Sequence, residues 1–296
     1  MIGLRVIMQT QKGIVFQGDC IDMLRGVRSG VINTVFADPP FNLGKSYKNG
    51  KSDSIAHSDY LDWCREWLHE CVRVIRDGGS LFVYNLPKWN VSLAHYLMSQ
   101  EKMTFRHWIA ISIKACGARQ KLLYPAHYSL IYLTKGEPVT FNRDSVRYPM
   151  PTCRRCGTPL PDWGGYKDRV HPLGINLSDV WVDVTPVRHR STKIREFGIN
   201  ELDPKIPERA ILLTTNRGDI VLDPFGGGGS TYRMAEKYDR LWVGSEIGDC
   251  TAIIEGLRAM HDITVNPQCP SNGLLDIFST SLRAQIPKCA PLPVPS

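Results

Sequence analysis

The stretch "VLDPFGGGGST" (Val221 to Thr231) narrows the fold more than any other part of the chain. An apolar run ends on an acid, four consecutive glycines follow, and two hydroxyl residues open a helical pattern. Such an order suits a strand turning sharply into a helix, because glycine reaches positive φ at little steric cost and lets backbone approach a ligand closely. The rest of the chain repeats this alternation. "GIVFQGD" (Gly13 to Asp19), "INTVFAD" (Ile32 to Asp38), "SLFVYN", "DIVLDPF" and "LWVGSEI" read as strands. Between them, Leu61, Cys64, Trp67, Leu68, Cys71, Val72 and Ile75 recur at helical spacing, from a Ser58 cap to a stop at Gly78-Gly79. A helix is also predicted from Trp89 to Gln100, and others over "PKIPERAILLTTN", "STYRMAEKY" and "GDCTAIIEGLRAM". "HWIAISIK" and "HYSLIYLTKG" suggest an antiparallel pair at one sheet edge. The fold class expected is α/β, a mostly parallel sheet with helices on both faces.

From Asn142 the periodicity degrades into prolines, glycines, tryptophans and charges. Residues 142–200 therefore read as an inserted, loop-rich region, with 13–141 and 201–262 forming the main domain. Residues 263–296 are proline-rich and expected to lie as a tail on the surface. The net charge is +7, and 142–200 holds ten basic residues against six acids, so over half the excess falls in about a fifth of the chain. "PVRHRSTKIR" (Pro186 to Arg195) concentrates Arg188, His189, Arg190, Lys193 and Arg195, a candidate surface for a polyanion.

Apolar runs fall far short of the roughly 18 to 20 residues that cross a bilayer, and no signal-peptide pattern opens the chain. Nine scattered cysteines suit reduced thiols, so a cytoplasmic location with no membrane partner is expected. "CRRCG" places Cys153 and Cys156 at the spacing of half a zinc ribbon, but no second such pair follows, and free thiols are the favoured reading.

A phosphate-binding P-loop needs Lys ahead of Ser/Thr, and Gly229 stands there. Glu246, at the end of the next strand, is placed to accept ribose hydroxyls, so an adenosine-containing ligand fits the glycine loop better. A second strand ends in "DPPF", Asp38 to Phe41. Prolines stiffen this turn and remove N–H donors, leaving a carboxylate and carbonyls that suit a ligand amine. Asp38 and the Pro39 carbonyl can each take one N–H and stabilise charge developing on an attacking nitrogen, while Phe41 stacks on a ring.

"DPPF" ahead of "DPFGGGGST" resembles the β class of S-adenosylmethionine-dependent DNA amino-methyltransferases, over roughly Gly13 to His261. The resemblance implies a permuted seven-stranded methyltransferase sheet with a target-recognition insertion. It implies S-adenosylmethionine contacts at Asp223, Pro224, Phe225, Gly226 and Gly228, at Glu246 with Ile247, at Asp19 with Cys20, and at Lys205, although the family's histidine near Lys205 is missing. Asp38, Pro39, Pro40 and Phe41 match the catalytic tetrapeptide. Asp at position 38 is typical of adenine-N6 enzymes, with cytosine-N4 as the alternative. Double-stranded DNA is the implied partner, its target base flipped out, in a restriction-modification system with a cognate endonuclease acting separately or in a solitary modification system, and with a monomer or homodimer as the working unit. No metal is required. A protein that holds DNA without catalysis is the alternative from another class.

Overall fold

The computed structural model describes residues 3–43, 55–113, 121, 123–150, 152–153, 155–158, 171–184, 202–261 and 270–287. Strands β1 (Arg5–Gln9), β2 (Gly13–Gln17), β3 (Ile32–Ala37), β4 (Ile75–Asn85), β5 (Thr104–Ser112), β6 (His127–Thr134), β9 (Val180–Trp181), β10 (Ile220–Asp223) and β11 (Leu241–Glu246) form one sheet. Its order is β1-β2-β11-β10-β3-β4-β6-β5-β9. The run from β2 to β4 is parallel throughout, β6 is antiparallel to both neighbours, and β1 is antiparallel to β2. β7 (Arg147–Tyr148) and β8 (Ile175–Asn176) pair separately, while β9 joins β5 in parallel and so ties the inserted region to the sheet.

Helices α1 (Cys20–Gly26), α2 (His57–Val74) and α3 (Pro87–Ser99) share one core with the sheet. Helices α4 (Lys205–Thr214), α5 (Ser230–Lys237) and α6 (Thr251–His261) contribute to the other two apolar clusters. A sheet covered on both faces explains why β3 is buried at every position. Its polar residues are satisfied within the core: Asn33 Oδ1 accepts from Ile220 N–H at 2.9 Å, and the Thr34 and Thr214 hydroxyls meet at 2.9 Å.

Two expectations change. α2 begins at His57 and stops at Val74, short of Gly78-Gly79; Ser58 lies in its first turn, its hydroxyl on the Asp59 carboxylate. The chain passes straight into β4, and the two glycines serve that strand. Gly78 has φ +72° and donates to the Lys135 carbonyl at 2.7 Å, while a Cβ on Gly79 would lie 2.9 Å from the Asn33 carbonyl oxygen. The second change concerns residues 270–287, expected as surface tail. Leu274, Ile277, Phe278, Leu282 and Ile286 are buried in the α1–α3 core, with short helices α7 (Asn272–Leu275) and α8 (Thr280–Arg283) carrying part of the segment. Phe278 packs edge-on to Phe16 of β2 at 5.7 Å. Apolar residues three and four apart outweigh the flanking prolines.

α2 leads from β3 outward to β4 on one face, whereas α5 leads from β10 to β11 in the opposite direction on the other. β3 and β10 are adjacent, with Val221 opposite Thr34 and Leu222 opposite Val35. The crossovers therefore diverge between them, and a crevice opens at their carboxyl ends, where open α/β sheets bind ligands.

Candidate active site

Four neighbouring strands, β2, β11, β10 and β3, each present an acid at or just past the carboxyl end: Asp19, Glu246, Asp223 and Asp38. Asp19 caps α1, its Oδ1 accepting from Ile21 N–H at 2.8 Å. Cys20 lies buried behind it, and burial pushes its thiol up. Asp223 is 3% exposed and accepts from Phe225 N–H at 2.9 Å; burial above all pushes its carboxyl up to about 7. Glu246 spans two turns, Oε2 accepting from Gly227 N–H at 2.8 Å and Oε1 from Gly248 N–H at 2.6 Å. Burial raises its carboxyl too, and those N–H groups oppose the shift. Ile247 beside it is exposed.

The glycine loop is built for close approach. Gly227 and Gly229 sit at φ +49° and +80°, and Gly229 opens α5 with no capping side chain, leaving first-turn N–H groups for a ligand. Gly226 donates to the Ser245 carbonyl at 2.8 Å, and a Cβ there would crowd the Tyr232 hydroxyl at 2.7 Å. The Pro224 carbonyl accepts from the Ser245 hydroxyl, and that of Gly228 accepts from the Arg233 guanidinium. Phe225 points into the protein, edge-on to Trp67 at 5.0 Å and Trp63 at 5.7 Å, anchoring the loop to α2.

Asp38 is half-buried, and no donor among the described residues meets its carboxylate. Burial, with the nearby Asp223 charge adding, holds it well above the ordinary carboxylate range. Pro39 is buried and Pro40 exposed. Phe41 is half-buried, its ring 5.8 Å from Tyr84 and 5.7 Å from Tyr128, which lie 5.5 Å from each other. Burial pushes both phenols up, and the Asp38 charge adds to it. Tyr84 and Tyr128 thus pack on the Phe41 ring, close enough to Asp38 to feel its charge. Sequence reasoning missed both: each reads as one more aromatic in an apolar strand, and only the pairing of β4 with β3 and of β6 with β4 brings them to the tetrapeptide.

Lys205 opens α4, near the glycine loop through the bond from the Ser230 hydroxyl to the Leu202 carbonyl at 3.0 Å. Its ammonium, however, faces the inserted region: it donates to the Asp183 carbonyl at 3.0 Å and lies 3.4 Å from the Asp183 carboxylate. Arg209, one turn on, donates to that carboxylate at 2.6 Å and stacks between Tyr148 and Trp181. The Asp183 carboxyl is held low by these cations, against its burial. Arg188, His189, Arg190, Lys193 and Arg195 lie outside the described residues. At the cysteine pair, Gly157 N–H bonds the Cys153 carbonyl at 2.8 Å, and Thr158 beside Cys156 draws that thiol down to about 7. Among the described residues no group of three or more His, Cys, Asp or Glu is placed to hold a metal.

A family model for DNA methylases of the N6/N4 type matches residues 32–254, three quarters of the chain. The chain belongs to the N6/N4 DNA methylase family. Within this family, the type II methyltransferase M.BamHI of Bacillus amyloliquefaciens is 48% identical over 250 residues, 84% of this chain and 58% of that protein. The chain therefore spans less than two thirds of that relative's length. DNA adenine methyltransferase YhdJ of Escherichia coli is 27% identical over 248 residues, covering 83% of this chain and 82% of its own. In fold, the chain superposes on the PvuII DNA methyltransferase, named cytosine-N4-specific, with a TM-score of 0.64 over 93% and 94% of the two chains at 15% identity. The sheet has nine strands where the resemblance implied seven: β1 and the short β9 are added at the two edges of the run from β2 to β5. Among the described residues no helix is long and apolar enough to cross a membrane.

Proposed function

We propose that this DNA methylase transfers a methyl group from S-adenosylmethionine to the exocyclic amine of a base swung out of double-stranded DNA. The observation that carries the reading is the unpartnered Asp38 carboxylate on a proline-stiffened turn, set in the crevice beside the Asp223–Gly229 loop. The residues present suit the cofactor. The glycine loop and the uncapped start of α5 offer N–H groups, Glu246 and Asp19 offer carboxylates on adjacent strands, and Ile247 gives an exposed apolar face. Bound there, S-adenosylmethionine would supply an electrophilic methyl, its S–CH3 bond breaking to leave the neutral thioether S-adenosylhomocysteine while the methylated nitrogen gives up one of its two protons by way of Asp38 to solvent. Asp38 and the Pro39 carbonyl accept the two N–H bonds of the amine, draw its lone pair out of conjugation, and stabilise the positive charge that grows on nitrogen. Phe41, Tyr84 and Tyr128 hold the ring flat and exclude water. The inserted region, with Arg188, His189, Arg190, Lys193 and Arg195, grips the phosphates meanwhile. A separate restriction endonuclease with the same recognition sequence fits the type II name of the Bacillus relative.

Adenine N6 is the base that Asp38 favours through the family resemblance. Cytosine N4 is the second reading, favoured by the superposition on the PvuII enzyme. Nucleoside mass spectrometry of DNA treated with the protein and labelled S-adenosylmethionine separates them: N6-methyladenine supports the first and N4-methylcytosine the second. Binding of cofactor and DNA without transfer of label to varied unmethylated DNA would leave a non-catalytic DNA-binding protein.

A further inference from the structure

A turn containing Pro39-Pro40 has two fewer backbone N–H groups with which to fix itself, so its carbonyls must be held by donors from elsewhere. Two side chains do this. The Tyr60 hydroxyl, from α2, donates to the Pro40 carbonyl at 2.7 Å, and the Trp89 indole N–H, from α3, donates to the Phe41 carbonyl at 2.8 Å. The two rings pack on each other at 4.5 Å, so one unit grips successive carbonyls. No donor among the described residues reaches the Pro39 carbonyl.

The direction of the Tyr60 bond is fixed from behind. Asn85, fully buried at the end of β4, accepts from Leu86 N–H through Oδ1 at 2.7 Å, which orients its amide. Its Nδ2 then donates to the Tyr60 oxygen at 3.0 Å. Because an amide nitrogen only donates, the single phenol proton is left for Pro40, whose carbonyl only accepts. Burial keeps that phenol neutral by pushing its pKa up.

We infer that Tyr60, backed by Asn85, and Trp89 are positioning residues that hold the Asp38–Phe41 turn so that the Asp38 carboxylate and the Pro39 carbonyl converge on the amine. This role rests on the methyl-transfer reading above. Displacement of such acceptors costs rate while leaving remote binding contacts intact.

Tyr60→Phe removes one oxygen from a buried, well-packed ring, and Trp89→Phe removes the indole donor. In steady-state methylation of DNA by the full chain, Tyr60→Phe is expected to lower kcat about tenfold. KM for DNA and the calorimetric Kd for S-adenosylmethionine should stay within twofold of wild type. Trp89→Phe should show the same split. A kcat within twofold of wild type for both variants, or a loss of cofactor and DNA binding that parallels the loss of kcat, would overturn the role. Wild-type protein that transfers no methyl would instead remove the reading on which the role depends.

Discussion

To accept an amine N–H with both oxygens available, Asp38 has to be ionised, yet burial and the Asp223 charge favour its neutral form. Methyl transfer is therefore expected to rise with pH through the elevated Asp38 pKa. Asp223→Asn, which removes the neighbouring charge, should move the acid limb of the pH–rate profile to lower pH at saturating cofactor. Asp38→Ala removes one of two acceptors that act at the transition state. It should cut transfer by about a hundredfold or more. Cofactor affinity should stay within a few-fold, and equal loss of both would contradict the assigned role. Asp223 also has a consequence for stability. The folded protein holds its proton up to about pH 7, against 3.8 for an unperturbed carboxyl, so protonation favours folding. The contribution is full below the lower value and lost as pH rises through the higher one. Without ligand, Asp223→Asn should raise the thermal midpoint by a few degrees at pH 8 and by progressively less as pH falls toward 4, as read by calorimetry.

Among the elements, the glycine loop and the segment over 270–287 differ most in how openly the sequence announces them. Gly229 sits at φ +80°, and a Cβ there would lie 3.3 Å from the Ile253 Cα, whereas a Cβ on Gly227 would meet nothing nearer than 3.9 Å. Gly229→Ala should accordingly destabilise more than Gly227→Ala in urea unfolding, the latter bearing only the left-handed backbone cost of about 1 kcal/mol. Phe278 is the plug that seats the 270–287 segment on β2. Phe278→Ala should cost about 3 kcal/mol in the same measurement. A value near zero would mean the segment does not share the main core. Its placement was hidden because prolines and polar residues dominate the composition around a short apolar repeat. The α2 boundary was hidden differently: Gly78-Gly79 signals a break, but a helix stop and a strand bulge both use glycine at positive φ, and the pairing of β4 with β3 and β6 selects the second.

Across the whole molecule, the proposed grip of the inserted region on DNA phosphates, resting on its excess of basic residues over acids, would make affinity a function of salt. Replacing Arg188, Arg190 and Lys193 with Gln should weaken binding about equally for all sequences and reduce the slope of log affinity against log salt by roughly 2 to 3 units. Titrations by fluorescence anisotropy at several salt concentrations check this. The same region meets the main sheet through β9 and through Asp183, which holds Lys205 and Arg209 of α4. A helix that leads into the β10 strand of the glycine loop is thereby joined to the region expected to hold DNA.

The sequence by itself determined the alternation of strands and helices, the two acid-ended turns and the order in which they come. These are local properties: periodicity, glycine at a strand-to-helix turn and proline after an acid have meaning within ten residues. That Asp38 and Asp223 belong to one crevice follows from β3 lying beside β10, a pairing between residues nearly two hundred positions apart. Tyr60, Tyr84, Asn85, Trp89 and Tyr128 gained their places around the tetrapeptide in the same way. An aromatic or amide side chain in an apolar segment carries no mark of its partner, because hydrogen-bond geometry and ring packing exist only once distant segments have come within a few ångströms of each other.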